Sequence, residues 1–148
     1  MIDEDIIISD PNFIIYSPEI CLIGFLMSRM HMVWVNISAG KFKNDYRYSV
    51  ELAYNTFPIP VVSNRNKNEI EEAVMDIFDI RDEEGGTLAD LYGSPLAERN
   101  PKPMNKRLQL AHEHLDRVVE KAYRSKSFEN DEDRLECLLS MYQERVNE

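Results

Sequence analysis

Between Ile20 and Trp34 the chain places Ile20, Leu22, Ile23, Leu26, Met27, Met30, Val33 and Trp34 at helical spacing, and little polar material lies between them. A surface helix carries one apolar stripe, whereas a helix that is apolar nearly all round has to be enclosed. Any fold for this chain must therefore supply a large surface to cover the segment. Pro18 suits the first helical turn and Ser17 its cap. Ser28, Arg29 and His31 interrupt the run, which argues against a membrane span. Such a segment suggests packing against another domain, or against a second copy of the chain through residues 18–35.

The flanking residues are of a different kind. Residues 6–8 and 13–16 read as short β segments separated by the turn signal Asp10-Pro11-Asn12. After the apolar helix, Ser38-Ala39-Gly40 is a break. Residues 41–48 then alternate loosely. If the stretch is a single extended run, Lys41, Lys43, Asp45 and Arg47 share one face and Phe42, Asn44, Tyr46 and Tyr48 the other. A short helix is expected over 49–54. Pro58 and Pro60 then enforce an extended exit, because each also restricts the residue before it.

From residue 63 onward the pattern is helical. Asn66 and Glu69 make a loose capping box ahead of Ile70, Ala73, Val74, Ile77, Phe78 and Ile80, and Gly85-Gly86 ends that helix. Thr87 and Asp90 cap a short turn, and residues 93–103, with three prolines, read as a loop. Leu108, Ala111, Leu115, Val118, Val119 and Ala122 mark a further long helix. Asn130 or Asp131 caps another, bearing Leu135, Leu138, Leu139, Tyr142 and Val146. Three amphipathic helices of this kind make a small bundle. The expected architecture is mainly α: short β segments near the N-terminus, then a helical bundle.

Charge narrows the functional classes. A formal net charge of −10 excludes a general nucleic-acid coat, since affinity for phosphates rests on cations. The acidity is uneven, however. Residues 61–148 hold twenty acids and thirteen bases, whereas residues 29–48 hold four bases, Arg29, Lys41, Lys43 and Arg47, and the single acid Asp45. Any nucleic-acid contact belongs to this strip. A solvated edge strand guarded by lysines is the plainer reading of the same residues.

Other chemistry is sparse. There is no GxGxxG, P-loop, HExxH or CxxC motif. His112 and His114 are two apart on a helix and cannot share a metal, and a His112–Asp116 pair would decorate the surface. Asp82-Glu83-Glu84 and Asp131-Glu132-Asp133 read as solvated helix ends, the second suited to a helix N-terminus. His31 reads as a buried, hydrogen-bonded histidine, and Met27, Met30 and Met32 as core filler. Cys21 and Cys137 fit free thiols of a reducing cytosol. The acidic opening Met1-Ile-Asp-Glu-Asp is unlike a signal peptide, so a cytoplasmic location is expected. No metal or cofactor is expected in the chain itself.

From about residue 16 onward, the order and spacing of several short motifs resembles the C-terminal part of MmeI-like DNA methyltransferases. These are bacterial restriction-modification proteins that join nuclease, adenine methyltransferase and target-recognition parts. The motifs are Ser28-Arg-Met-His-Met-Val-Trp-Val, Gly40-Lys-Phe-Lys-Asn-Asp-Tyr-Arg-Tyr-Ser49 and Tyr54-Asn-Thr-Phe-Pro-Ile-Pro60. Further on come Thr87-Leu-Ala-Asp-Leu-Tyr92, Ala111-His-Glu-His-Leu-Asp116 and Asp131-Glu-Asp-Arg-Leu135. The resemblance implies that residues 1–60 end a target-recognition domain and residues 63–148 form a helical C-terminal domain. The family's S-adenosylmethionine loop, its Asn-Pro-Pro-Tyr-type tetrapeptide and its nuclease motif are absent, which implies no catalysis by this chain alone. S-adenosylmethionine is expected only in the longer enzyme.

The family's base-reading segment aligns with Lys43 and Asp45, which implies that they read one G·C pair together. Lysine donates to guanine O6 and N7, and aspartate accepts from cytosine N4. Lys41, Arg47 and Arg29 would then contact phosphates, with Tyr46 and Tyr48 packing the strip onto its scaffold. The partners so implied are double-stranded DNA, through residues 29–48, and the remaining domains of the longer enzyme. Duplex affinity of the chain alone is expected to be no tighter than about 10⁻⁴ M. The competing reading is a helical docking module that scaffolds a larger enzyme without touching DNA. A small stand-alone enzyme is disfavoured for want of any nucleophile–base cluster.

Overall fold

A computed structural model of the chain describes residues 15, 19–38, 40–42, 45–93 and 103–147. The β reading at 6–8 lies outside these residues, as does that at 13–16 except for Ile15, which has no regular structure. The molecule is mainly α-helical. Its elements are α1 (Ile20–Met27), α2 (Arg29–Ser38), β1 (Gly40–Phe42), β2 (Asp45–Arg47), a π-helical turn (Val50–Tyr54), α3 (Asn64–Glu84), α4 (Leu88–Tyr92), α5 (Lys106–Tyr123) and α6 (Asp131–Val146).

The single apolar helix expected from residue 18 to 34 is two helices. They meet at Ser28 and are bent by 62°. Ser28 is extended, at φ −83° and ψ 161°, and wholly buried. Its hydroxyl donates to the Phe25 carbonyl at 2.6 Å, so it closes α1. The start of α2 is satisfied from two sides: the Ser28 hydroxyl oxygen accepts the His31 backbone N–H at 3.5 Å, and the Asp116 carboxylate, on α5, accepts the Arg29 backbone N–H at 2.6 Å. Serine competes for backbone hydrogen bonds and makes a natural break. The sequence pattern missed it because the apolar spacing carries on through the bend.

The surface that covers this apolar segment comes from the chain's own C-terminal helices. Cys21, Phe25, Met30, Val33 and Trp34 share one core with Ile70, Ala73, Val74, Ile77, Leu108, Leu115, Val118, Val119 and Leu138. α3 lies along α5 and α1, while α6 packs on α2. The bundle is thus five helices, two drawn from the apolar segment, and α6 reaches the rest mainly through α2. At Gly24 α1 comes close against α3: a Cβ there would lie 2.4 Å from Ile70 Cγ2. Ile20, Met32 and Ile37 remain exposed on the outer side of α1 and α2. Among the described residues no single helix is long and apolar enough to cross a membrane.

The caps follow the polar residues. Ser63, rather than Asn66, opens α3 by accepting from the Asn66 N–H at 3.2 Å. Gly85 ends it at φ +62°, in the left-handed region. Thr87 and Asp90 form a reciprocal capping box on α4, Asn105 caps α5 and Asn130 caps α6. The extended segment 57–63 is fastened by the Tyr123 hydroxyl, which donates to the Pro58 carbonyl at 3.0 Å, and by Arg145, which donates to the Ile59 carbonyl.

Ion pairs knit the helix ends. Asp131 accepts from Arg29 Nε at 3.0 Å and from Arg134 Nη1 at 3.2 Å; Arg134 also donates to Glu120 at 2.8 Å, so a chain of charges links α2, α6 and α5. Asp133 pairs with Arg124 and accepts the Glu129 N–H at 3.0 Å. The acidic run at 131–133 is therefore not simply solvated: two of its members hold tertiary or turn contacts.

Candidate nucleic-acid interface

The cationic strip is a hairpin, not one extended run. β1 and β2 pair antiparallel, with Gly40 opposite Arg47, Lys41 opposite Tyr46 and Phe42 opposite Asp45. Cross-strand partners share a face and neighbours along a strand alternate. Positions 40, 42, 45 and 47 therefore line one side of the ribbon, and 41 and 46 the other. The expectation that Lys41, Lys43, Asp45 and Arg47 share one face is corrected by this register, because the chain reverses between Phe42 and Asp45 and puts positions 41 and 47 on opposite sides. Lys43 and Asn44 lie outside the described residues. For Lys41, Asp45, Tyr46 and Arg47 only the backbone is described.

The hairpin is built onto α2. β1 begins two residues after α2 ends at Ser38, whose hydroxyl donates to the Trp34 carbonyl at 2.8 Å. β2 leads directly into Tyr48. Its hydroxyl lies 3.1 Å from His31 Nε2, and its ring packs with Val35 and Ala53. Ser49 then caps the π-helical turn by accepting the Leu52 N–H at 3.2 Å. Trp34 Nε1 donates to Thr56 Oγ1 at 3.0 Å, and the His31 ring meets Phe57 edge-on at 4.6 Å between centroids. One side of α2 thus holds the segment returning from the hairpin at Tyr48, Ala53, Thr56 and Phe57. The Gly40–Arg47 end of the ribbon adjoins α2, and the Phe42–Asp45 end is distal.

Burial pushes the His31 pKa down to about 4, so the ring is neutral near pH 7. Its Nδ1 is buried and has no hydrogen-bond partner among the described residues. Burial also raises the Tyr48 hydroxyl above its ordinary range. The pair is therefore a neutral hydrogen bond at working pH.

Arg29, expected among the phosphate contacts, turns its guanidinium onto Asp131 of α6 in a two-point ion pair. The arginine hydrogen bonds hold the Asp131 carboxyl below the usual carboxylate range. Arg29 thereby fastens α2 to α6. Two further couplings went unseen in the sequence. His112 does not pair with Asp116; its Nε2 lies 2.8 Å from the Tyr92 hydroxyl, which also accepts from Arg81 and so ties α4 to α3 and α5. Asp116 instead caps α2, and burial raises its pKa. Both are long-range pairings, for which local spacing carries no signal. Among the described residues no group of three His, Cys, Asp or Glu is arranged to hold a metal ion.

Residues 1–61 match the family model of the MmeI target recognition domain, and residues 62–148 match that of the MmeI C-terminal domain. The chain belongs to the MmeI family. It is 58% identical over 140 residues to the DNA methyltransferase A of Bacillus subtilis (strain 168), an alignment that takes in 95% of this chain and 15% of that protein. It also resembles the Type IIL restriction-modification enzyme MmeI, solved in complex with DNA, at a TM-score of 0.77 and 32% identity over 89% of this chain and 17% of that one. The chain therefore spans less than a fifth of the length of either relative. In this MmeI-family chain the two matched segments share a single core, since α1 and α2 from the first are enclosed by α3, α5 and α6 from the second.

Proposed function

We propose that this chain serves target recognition in a site-specific DNA methyltransferase of the restriction-modification type, with the hairpin as its reading element and the helices as a rigid base. The observation that carries this reading is a β-ribbon whose α2-proximal end is anchored on a buried helix, within a segment matching the MmeI target recognition domain. The major groove of B-DNA admits a two-stranded ribbon. Asp45 opens β2 at the end of the ribbon distal from α2, and Lys43 precedes it by two positions.

In this reading Lys43 donates to guanine O6 and N7 and Asp45 accepts from cytosine N4 of the same pair. Lys41 and Arg47 contact phosphates and set the register. Tyr46 and Tyr48 support the ribbon, and Arg29 acts through its hold on α6. Residues up to about 60 serve recognition and those from 63 onward serve as its support. Methylation of adenine, with S-adenosylmethionine as donor, belongs to catalytic parts elsewhere in the longer enzyme, and this chain alone is inactive. Its partners are duplex DNA and those other parts, in the cytoplasm. The alternative is a docking module that never meets DNA; the core shared between the two matched segments favours it, because such a core performs scaffolding with or without a reading hairpin.

The test is to map methylated sites made by a related full-length enzyme carrying residues 28–60, before and after exchanging Lys43 and Asp45 together. Loss of the G·C preference at one position, with activity retained, is the expected result. An unchanged recognition site would overturn the assignment of the hairpin and leave the scaffold reading.

A further inference from the structure

The hairpin is reached by the chain through two ends, and they differ in how they are held. At its start, β1 follows α2 in the chain after a single intervening residue. At its end, β2 runs into Tyr48, the first position after it whose side chain is described, and there a hydrogen bond to the helical base is made. His31 supplies that bond from the middle of α2, and the histidine has no freedom to drift. It is 4% exposed, packed edge-on against Phe57, and flanked along α2 by the buried Met30, Val33 and Trp34. The Tyr48 ring meets the His31 ring at 5.8 Å between centroids and rests on Val35 and Ala53.

We propose that His31 and Tyr48 are positioning residues, a clamp that sets the attitude of the β-ribbon against the helical base and thereby its productive approach to the duplex. The inference rests on the functional reading above and deepens it: the clamp governs how well the ribbon engages DNA, while base identity is left to residues further out. A two-stranded ribbon is marginal on its own, and the clamp joins its returning strand to the buried side of α2. A groove-reading element loses engagement when its support loosens, because side chains must meet base edges at hydrogen-bond distance.

Three substitutions separate this role from ordinary stabilisation. Tyr48→Phe keeps the ring and removes the hydroxyl. His31→Leu removes the nitrogen facing it. His31→Gln places an amide within reach of the Tyr48 hydroxyl and restores a partner. Amide hydrogen exchange is followed by NMR on the 148-residue chain, alongside titration with a short mixed-sequence duplex.

For Tyr48→Phe and His31→Leu, exchange at Gly40–Phe42 and Asp45–Arg47 should quicken at least tenfold, with amides in α3 and α5 unchanged. The duplex-induced shifts of the hairpin should need several-fold more DNA. His31→Gln should behave as the unsubstituted chain. Unaltered hairpin exchange in Tyr48→Phe overturns the clamp. So does equal acceleration across hairpin and bundle, or a His31→Gln variant as loose as His31→Leu. If the unsubstituted chain shows no hairpin shifts with duplex at any attainable concentration, the DNA-reading function fails; the exchange results then decide alone whether the clamp orders the ribbon.

Discussion

His31 is the residue on which fold and pH meet. It is buried and neutral, and its pKa is depressed to about 4. Between about pH 6.5, the ordinary histidine value, and pH 4, the unfolded chain holds more protons than the folded one. The stability owed to the neutral ring is thus complete above pH 6.5 and declines as pH falls through that window, by roughly 3 kcal/mol in full. Urea midpoints for the native chain and for His31→Gln, taken at pH 7.5, 6.0 and 5.0, check this. The difference between the two should swing toward the glutamine variant as pH falls. Parallel profiles would mean that the ring protonates freely within the fold. His31 was legible in the sequence as a buried, hydrogen-bonded histidine; its partner, seventeen residues away, was not.

Among the elements, α1 meets α3 with no room for a further carbon at Gly24. A Cβ on Gly24 would lie 2.4 Å from Ile70 Cγ2 and 3.1 Å from Val74 Cγ2, and both isoleucine and valine are wholly buried and branched at Cβ. Neither methyl can swing aside. Gly24→Ala gains up to about 1 kcal/mol of helix propensity but overpacks the core at a cost of about 1–3 kcal/mol. A net loss is expected, read as a lower thermal midpoint. In an Ile70→Ala background, where the obstructing methyl is gone, the same substitution should cost nothing or stabilise. Equal losses in both backgrounds would place the cause in the backbone of α1 rather than in its packing. The break at Ser28 belongs to the same scale. Apolar spacing carries on across it, and the Ser28 hydroxyl, bonded to the Phe25 carbonyl and to the His31 N–H, together with the Asp116 cap from α5, marks where the helix ends and restarts.

At the level of the whole molecule, the two family-matched segments are one folding unit. α6 meets the rest chiefly through α2, and α3 and α5 lose the cover of Phe25 and Met30 once residues 1–61 are removed. Residues 62–148 expressed alone should therefore keep helical circular dichroism but melt without a cooperative transition and bind a hydrophobic dye. A sharp melt with no dye binding would show that the C-terminal helices are self-sufficient. The Arg29–Asp131 pair also spans the two segments, but it is half exposed, so its direct contribution to stability is small. Apolar burial is what joins the segments.

The sequence by itself determined the helical periods, the caps at Thr87 and Asn130 and the stop at Gly85, the position of the cationic strip and, through the order of its motifs, the family. Each of these is a local property: which face is apolar, where a side chain can accept the first orphan N–H, which charges stand close along the chain. Tertiary structure decided the rest. The apolar segment is covered by the chain's own C-terminal helices, although its composition suited a foreign surface equally well, because burial is indifferent to the source of its cover. The strip folds back into a ribbon, so that positions 41 and 47 fall on opposite sides, because register is set by which strand pairs with which and not by alternation along one. Arg29, His112, Asp116 and Asp131 found partners far along the chain or on other elements. Hydrogen bonds and ion pairs between distant residues form only once helix packing has brought their carriers together, and no local pattern records them.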